Sequence, residues 1–477
     1  MKKKNFLNLV KNQKKILFSN YSNFYTYCIA TLYINRSTFD YKNENKYKKF
    51  FFINNFLFIL KGIFILFFRL LLNNSRIYKK VKNLDTKKNI LIISNVINEN
   101  INKDLYFGNL TELINKKNYF NCIKIFKNLS DVEESILWKN LTKKNNTIIL
   151  PKITNFINEI YFLFLFLSEY VRLKFLISVD KIKVDLNYRY LISFRNLLSI
   201  LPTLRLCYEI KKIISIYSPK IILFTFEGHA WERALIKTIR DIDENIFIVA
   251  YQFSPITKFH HSIFCDYNKM YLPNLIANSG NITKHIFKKI YKNKIQCKVL
   301  GSSKYRNVII NQKKNIQILI CPENLPHQLN EMLSISIKLS NYYKNIKFRF
   351  RFHPTIDAYS KFNYLKKIKN IESNLIISSD SLNNDLIGCS HIIYRSTAVS
   401  IEALSYGVLP IYLNTFNRGL DENPLFFNKK LFFTLNKVSD LNNIIKRKRN
   451  LSVYPTYAKK YFSKFKLNFF NSIIKSE

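Results

Sequence analysis

Residues 391–413 form the stretch HIIYRSTAVSIEALSYGVLPIYL. An apolar run leads into the hydroxyl pair Ser396 and Thr397, then into a short helical segment that carries Glu402, and then into a second apolar run over 409–413. The pattern predicts a strand, a turn, a helix and another strand. The free amides and the dipole of the first helical turn, beside two hydroxyls, suit a phosphate or a carboxylate. The alternative is a capped core helix, in which a hydroxyl serves only as N-cap.

Similar apolar runs recur along most of the chain, separated by amphipathic segments. A first series of predicted strands covers 89–94, 147–150, 220–226, 246–252, 275–277 and 298–301. A second series covers 316–321, 346–352, 375–378, 391–394 and 408–413. Buried strands separated by helices are typical of doubly wound parallel sheets. The sequence therefore predicts an α/β protein with two Rossmann-like, doubly wound domains.

The boundary between the two series is predicted in the polar segment between Gly301 and Gln317. This gives three parts: a basic, aromatic-rich appendage over 1–87, a Rossmann-like domain over 88–305 and a second over 306–477. Ligands of open α/β sheets bind outside the carboxyl ends of the strands. The two domains are therefore predicted to face each other across a cleft that holds the site.

The composition is that of a globular protein with a large positive charge. The 477 residues are 48% hydrophobic, and the formal net charge is +45. Such a charge favours nucleic acid or an anionic membrane surface as partner. The basic residues are spread along the chain, however, and do not form the clusters of a nucleic-acid-binding motif. The abundance of Lys, Asn, Ile, Phe and Tyr indicates A/T codon bias, which accounts for the larger part of the charge as lysines on solvated faces. An anionic membrane surface is still expected as a partner, and no nucleic acid is expected.

Two long apolar segments bear on location. Residues 51–72 are long enough to span a bilayer, but Lys61 and Arg69 interrupt them, and a charge at the bilayer centre costs about 2.5–3.5 kcal/mol. An interfacial or core helix is therefore predicted there. Residues 151–178 are predicted to form a long, mostly buried helix, with a membrane-facing helix as the alternative. The expected location is the cytoplasm, peripheral to the inner face of the cytoplasmic membrane.

The segment FTFEGHAWERAL over 224–235 places a carboxylate at a predicted strand end. Glu227 is a candidate general base, and Gly228 beside it would let a substrate approach. The alternative is that Glu227 only complements the following helix N-terminus, worth about 0.3–1 kcal/mol. Glu232 and Arg233 are expected to form surface or interdomain ion pairs.

The segment RFRFHP over 349–354 alternates Arg and Phe, as a strand does, and ends in His353 before a proline. An imidazole held there is a candidate donor to a phosphate or to a leaving oxygen, although a lone histidine is more often a packed or solvated one. Glu402 is a candidate acceptor from a ribose, with a helix-surface charge as the alternative. No P-loop, G-x-G-x-x-G or metal-ligand spacing occurs, so no cofactor and no metal is expected.

Glu-Gly, His-Pro and Ser-Thr, in this order, resemble the three short motifs of bacterial sialyltransferases and polysialyltransferases of the glycosyltransferase-B fold. The longer segment over about 215–415, which contains these three motifs, resembles bacterial surface-carbohydrate biosynthesis proteins in its sequence. The resemblance implies that Glu227 is the base, that His353 contacts the nucleotide phosphate, and that the hydroxyl pair binds phosphate or the donor carboxylate. The sialyltransferase motif has two acidic residues before Gly, whereas Phe226 occupies the first position here.

The resemblance implies a metal-independent, inverting glycosyltransferase. It would move a sugar from a nucleotide donor, CMP-linked sugars being one candidate, to a surface glycan or glycolipid. The domain over 88–305 would bind the acceptor, and the domain over 306–477 would bind the nucleotide-sugar. The alternatives are a teichoic-acid-type polyol-phosphate transferase and, from a different class, a basic nucleic-acid-binding protein.

Overall fold

A computed structural model of the chain describes residues 3–17, 19–20, 24–25, 88–96, 104–116, 120–129, 136–137, 146–183, 200–258, 260, 262–263, 268–292, 294–307, 316–323, 326–354, 356, 358–366, 372–414, 422–447 and 451–474. The segment 51–72 lies outside the described residues, so its proposed interfacial helix stays a prediction.

The first part of the chain alternates strands and helices. In chain order the elements are α1 (Lys3–Leu17), β1 (Lys88–Val96), α2 (Leu110–Asn115), β2 (Phe120–Asn128), β3 (Thr147–Leu150), α3 (Phe156–Ser178), α4 (Ile200–Tyr217), β4 (Ile221–Thr225), α5 (Ala230–Ile242), β5 (Phe247–Gln252), β6 (Leu275–Asn278), α6 (Asn281–Tyr291) and β7 (Gln296–Val299).

The alternation continues in the second part. Its elements are β8 (Gln317–Cys321), α7 (Pro326–Tyr342), β9 (Lys347–Phe350), α8 (Ala358–Lys366), β10 (Leu375–Ile377), α9 (Leu382–Gly388), β11 (His391–Tyr394), α10 (Val399–Ser405), β12 (Leu409–Leu413), β13 (Phe433–Leu435), α11 (Asp440–Ile445), α12 (Val453–Tyr461) and α13 (Asn468–Ile474).

The strands form two separate sheets with the doubly wound order. The first sheet runs β3-β2-β1-β4-β5-β6-β7, and the second runs β10-β9-β8-β11-β12-β13. The pairs from β3 through to β5 are parallel, as are all five pairs of the second sheet. The strand order reverses between β1 and β4 and between β8 and β11, which is where such sheets bind ligands. The prediction of two Rossmann-like sheets is confirmed.

The chain divides into two compact units, each built on one of these sheets. The first comprises Met1–Gln252, His261–Ala277 and Lys288–Lys298; the second comprises Phe253–His260, Asn278–Phe287 and Val299–Glu477. The central strands β4 and β11 are buried along their whole length, because helices cover both faces of a doubly wound sheet. This burial explains why these strands are continuous apolar runs in the sequence.

Two strands escaped prediction because their sequences do not look like buried strands. β13 has only three residues. β2 carries lysines within its run FNCIKIFKN. The Lys124 ammonium lies 3.4 Å from the carboxylate of the buried Asp104, so the positive charge of the lysine is balanced by an ion pair. A strand can hold a buried lysine only when such a partner is present.

α3 differs from its prediction. It is a helix, but only seven of its 23 residues are buried, so the expectation of a mostly buried helix is wrong. The buried set is one face, and the opposite face exposes large apolar side chains. Among the described residues, no helix is both long and apolar enough to cross a membrane.

Candidate functional site

Glu227 lies two residues after the end of β4, at the carboxyl end of the strand where the order of the first sheet reverses. The chain then turns through Gly228, whose φ is +78°. A Cβ at this position would lie 2.5 Å from the carbonyl oxygen of Ser262. Both the positive φ and the close backbone therefore require glycine. The turn presents the Glu227 side chain at the end of the sheet where open α/β folds bind ligands.

The carboxylate of Glu227 is paired with His229. Their Oε2 and Nε2 atoms are 2.8 Å apart, and each side chain is about a quarter exposed, at 25% and 24% respectively. An ionised carboxylate can only accept, so Nε2 carries the hydrogen in this pair. Burial alone lowers the pKa of His229, but the hydrogen bond to Glu227 and the charges of Glu232 and Glu227 outweigh it, and the pKa is raised. The pair can thus hold a proton and remain open to a substrate.

Glu232 stabilises the turn through hydrogen bonds to its backbone. Its buried carboxylate accepts from the backbone amides of Glu227 at 3.0 Å and of His229 at 2.7 Å. Burial raises the pKa of Glu232 to about 7, and the neighbouring His229 charge opposes this rise. The expectation of a surface or interdomain ion pair for Glu232 is wrong, because backbone donors at the start of α5 satisfy the carboxylate instead of a cation.

The expectation of a surface or interdomain ion pair is also wrong for Arg233, because its side chain contacts a backbone group. The side chain is fully buried, and its Nη2 atom donates to the carbonyl oxygen of Ser262 at 2.7 Å. Ser262 in turn donates from its hydroxyl to the carbonyl oxygen of Glu227 at 2.8 Å. Arg233 therefore acts as an internal support for the backbone beside Gly228.

The sequence did not indicate two further side chains that interact with this turn: the charge of Lys127 acts on His229, and the charge of Glu227 acts on Tyr106. Lys127, at the end of β2, has its ammonium 3.9 Å from the centre of the Trp231 ring; burial lowers its pKa to about 8, against the charge of Glu232. Burial and then the charge of Glu227 raise the pKa of Tyr106. Lys127 was missed because β2 was not predicted, and Tyr106 lies outside any regular element.

Ser396 and Thr397 follow β11, at the reversal point of the second sheet. Both are buried, but neither is the N-cap of α10, which is Ala398. The Thr397 hydroxyl accepts from the backbone amide of Val399 at 3.3 Å. The Ser396 hydroxyl donates to the amide oxygen of Gln328 at 3.3 Å. The hydroxyl pair thus lies at the reversal point of its sheet, where open α/β folds bind ligands, at the start of a helix of only seven residues.

Glu402 lies on α10, and its carboxylate is buried. Its Oε2 atom is 3.2 Å from a guanidinium nitrogen of Arg306. Glu402 is thus neither a solvated helix-surface charge nor isolated, and a ribose contact would have to be made beside this ion pair.

His353 follows β9 in the second unit and is partly exposed. Burial, and then the charge of Lys304, lower the pKa of His353 to about 4. The imidazole is therefore neutral near pH 7 and can donate one N–H. The two arginines before it have a structural partner, because Arg349 and Arg351 each lie 2.8 Å from a carboxylate oxygen of the fully buried Asp385.

The predicted site residues therefore fall into two groups. Glu227 and Gly228 belong to the first unit, and the other four, His353, Ser396, Thr397 and Glu402, belong to the second. All except Glu402, which lies within α10, follow the carboxyl ends of strands. Within the part of the chain that the structure describes, no three His, Cys, Asp or Glu side chains cluster so that they could hold a metal ion.

Comparison with known proteins gives the fold class. No family model matches the chain, and no curated protein matches it. Among solved structures, a protein assigned as a UDP-N-acetylglucosamine 2-epimerase from Listeria monocytogenes matches with a TM-score of 0.53 and 12% identity, over 82% of this chain and 96% of that one. MnaA of S. aureus, solved with UDP, matches with a TM-score of 0.51 and 12% identity, over the same shares. The shared fold is the two-domain, Rossmann-like glycosyltransferase-B type.

Proposed function

We propose that this chain is a metal-independent, inverting glycosyltransferase that moves a sugar from a nucleotide donor to a glycan or glycolipid. The observation that carries the proposal is the carboxylate of Glu227, held 2.8 Å from His229 in a partly exposed position at the reversal point of the first sheet. A general base must reach its substrate from such a place. The resemblance to sialyltransferase motifs assigns the same role to the same residue.

In the proposed reaction, the hydroxyl oxygen of the acceptor attacks the anomeric carbon of the donor sugar. The bond from that carbon to the nucleotide phosphate oxygen breaks, and the hydroxyl proton passes to Glu227. One inversion at the anomeric carbon results. His229 orients the carboxylate, and the backbone contacts of Glu232 fix the turn, so that the base needs little reorganisation when the acceptor attacks.

The nucleotide contacts of the proposal lie in the second unit. The hydroxyls of Ser396 and Thr397 and the neutral imidazole of His353 would donate to phosphate oxygens, and Glu402 would accept from a ribose. These groups would stabilise the departing phosphate in place of a metal ion. The solved S. aureus neighbour contains UDP, which supports a nucleotide ligand for a chain of this fold.

The decisive experiment combines a binding screen with a transfer assay. CMP, UDP, CDP and TDP are compared for thermal stabilisation of the full chain, and the matching nucleotide-sugar is then incubated with and without glycan acceptors. We expect one nucleotide to raise the Tm and the sugar to leave its nucleotide only in the presence of acceptor. If no nucleotide stabilises the protein, the proposal is wrong.

The same assay separates the alternatives. Conversion of UDP-N-acetylglucosamine to another sugar nucleotide without any acceptor would indicate an epimerase, as the two solved neighbours are named. Stabilisation by CDP together with transfer of a polyol phosphate would indicate a teichoic-acid-type enzyme. Salt-dependent retention on DNA that no nucleotide competes away would indicate a nucleic-acid-binding protein.

A further inference from the structure

The 23-residue helix α3 has two opposite apolar faces, and only one of them is buried. The inward face contains Phe162, Phe166 and Leu173. The outward face is formed by large apolar side chains that are each at least 39% exposed: Ile157, Ile160, Tyr161, Phe164, Leu167, Val171 and Phe175. We call these seven residues the outer face of α3.

The outer face is an apolar stripe that two exposed serines, Ser168 and Ser178, interrupt; both hydroxyls donate to backbone carbonyl oxygens of the helix. At about 100° per residue its members fall within an arc of about 120°, and the helix is about 35 Å long. Soluble proteins rarely expose a contiguous apolar surface of this size without a partner. The stripe is also rich in aromatic rings, which favour the boundary between water and lipid.

The exposed charges around this stripe are mostly basic. Both acidic residues of α3 point inward and are paired: Glu159 lies 2.6 Å from Arg205, and Glu169 lies 2.6 Å from Arg172. Lys174 borders the outer face, and the exposed residues that follow the end of the helix include one acid, Asp180, and two lysines, Lys181 and Lys183. The outward side of α3 is thus apolar with a basic border.

We propose that the outer face of α3 docks on an anionic lipid surface, with the helix lying in the plane of the membrane interface. The apolar side chains enter the boundary between headgroups and acyl chains, and the lysines contact acidic headgroups. This is the known physics of interfacial helices, in which apolar burial and electrostatic attraction add. The proposal does not depend on the proposed transferase activity.

Charge argues for lipid over a second copy of the chain. Each copy carries a formal net charge of +45, so pairing two outer faces would bring two basic borders together, whereas an anionic surface complements them. Crossing the bilayer is also disfavoured, because α3 contains two acidic and two basic side chains. A helix that lies on the surface of an anionic membrane avoids both the repulsion between basic borders and the burial of charges in the bilayer.

The test is binding of the full chain to sedimenting vesicles made of phosphatidylglycerol or of phosphatidylcholine. The variant carries Ile157→Gln, Phe164→Gln and Phe175→Gln, at side chains that are 76%, 66% and 62% exposed. Insertion of a large apolar side chain is worth about tenfold in partitioning. We expect the wild type to prefer phosphatidylglycerol, and the triple variant to bind it at least about 100-fold more weakly.

The matched control carries Tyr342→Gln, Phe362→Gln and Ile387→Gln in the second unit, at side chains that are 65%, 61% and 55% exposed. It should bind like the wild type. Thermal unfolding of both variants checks that they fold. If the first triple variant unfolds, the substitution of Lys174, Lys181 and Lys183 by Gln provides a second test, and it should weaken binding to phosphatidylglycerol about tenfold or more.

Three outcomes would overturn the proposal. The wild type could fail to bind phosphatidylglycerol vesicles. The triple variant could bind them like the wild type, which would assign membrane contact to another part of the chain. Sedimentation could show a wild-type dimer that the triple variant converts to a monomer, which would assign the outer face to a second copy.

Discussion

The Nε2 atom of His229 lies 2.8 Å from the Oε2 atom of Glu227, two residues earlier in the chain. So close a contact between such near neighbours is possible because Gly228, with its positive φ, reverses the backbone between them. The imidazole and the carboxylate thus form a local acid–base pair in the turn after β4, which Glu232, Arg233 and Ser262 support.

Glu227→Gln should abolish transfer and leave nucleotide binding nearly unchanged, because a base is needed only when the acceptor attacks. General base catalysis is worth about 10²- to 10⁴-fold, so kcat should fall by that factor. Calorimetry with the free nucleotide and initial rates with saturating acceptor measure the two effects. Asp241→Asn, at a half-exposed carboxylate at the end of α5, is the control and should keep the wild-type rate. Wild-type turnover by Glu227→Gln would remove Glu227 from the mechanism.

Glu232 should make stability fall as pH rises. Its carboxyl pKa is about 7 in the fold against an ordinary 4.5, because burial disfavours the charged form. The folded state therefore holds this proton more tightly than the unfolded state, and stability is lost between these two pH values and not regained above them. The contribution is on the order of 3 kcal/mol.

Urea unfolding from pH 4.5 to 6.5 tests this sign. The wild type should lose stability relative to Glu232→Gln across the window, because glutamine has no proton to lose. His229, whose pKa is also raised, adds a loss of the same sign only at higher pH, as its stabilising charge disappears. A difference between the two proteins that is constant with pH would contradict the assigned pKa of Glu232.

His353→Ala and Ser396→Ala should each weaken nucleotide binding by about 1.5–3 kcal/mol, the value of a hydrogen bond to a charged group. Titration calorimetry with the nucleotide that stabilises the protein measures the loss. Phe362→Ala, at an exposed side chain of the same unit, serves as control. If both variants bind like the wild type, the phosphate site lies elsewhere.

Asp385→Asn should destabilise the second unit by about 3 kcal/mol, because it removes the buried charge that two arginines share. Burial alone raises the pKa of Asp385, but hydrogen bonds from Ser378, Arg349 and Arg351 outweigh it and lower the pKa. This stabilisation is present above the ordinary pKa of 3.8 and lost as pH falls further.

The matched control is Asp380→Asn. Asp380 also contacts Arg349, at 2.6 Å, but its side chain is 51% exposed, and an exposed ion pair contributes at most about 1 kcal/mol. Thermal unfolding at pH 7 should therefore separate the two variants by several degrees. Equal Tm values for Asp385→Asn and Asp380→Asn would show that burial of the pair does not decide its strength.

The sequence by itself determined the two parallel sheets and the place of the candidate site residues along the chain. Eleven predicted strands match strands of the structure to within a few residues at each end. The strands could be predicted because a strand that is covered on both faces must be apolar at nearly every position, and this produces a continuous apolar run in the sequence. Glu227, His353, Ser396 and Thr397 became candidates because each lies within three residues of the end of such a run.

Only the tertiary structure decided what surrounds those residues. The ion pair between Lys124 and Asp104 permits a buried lysine in a strand. The backbone donors around Glu232 allow its carboxylate to be buried, although the sequence placed it on the surface. The outward face of α3 is as apolar as its inward face, so periodicity could not tell which of the two is covered. The physical reason is common to all three: the free energy of a charge or an apolar side chain depends on neighbours that are distant in sequence, and those neighbours exist only after the chain has folded.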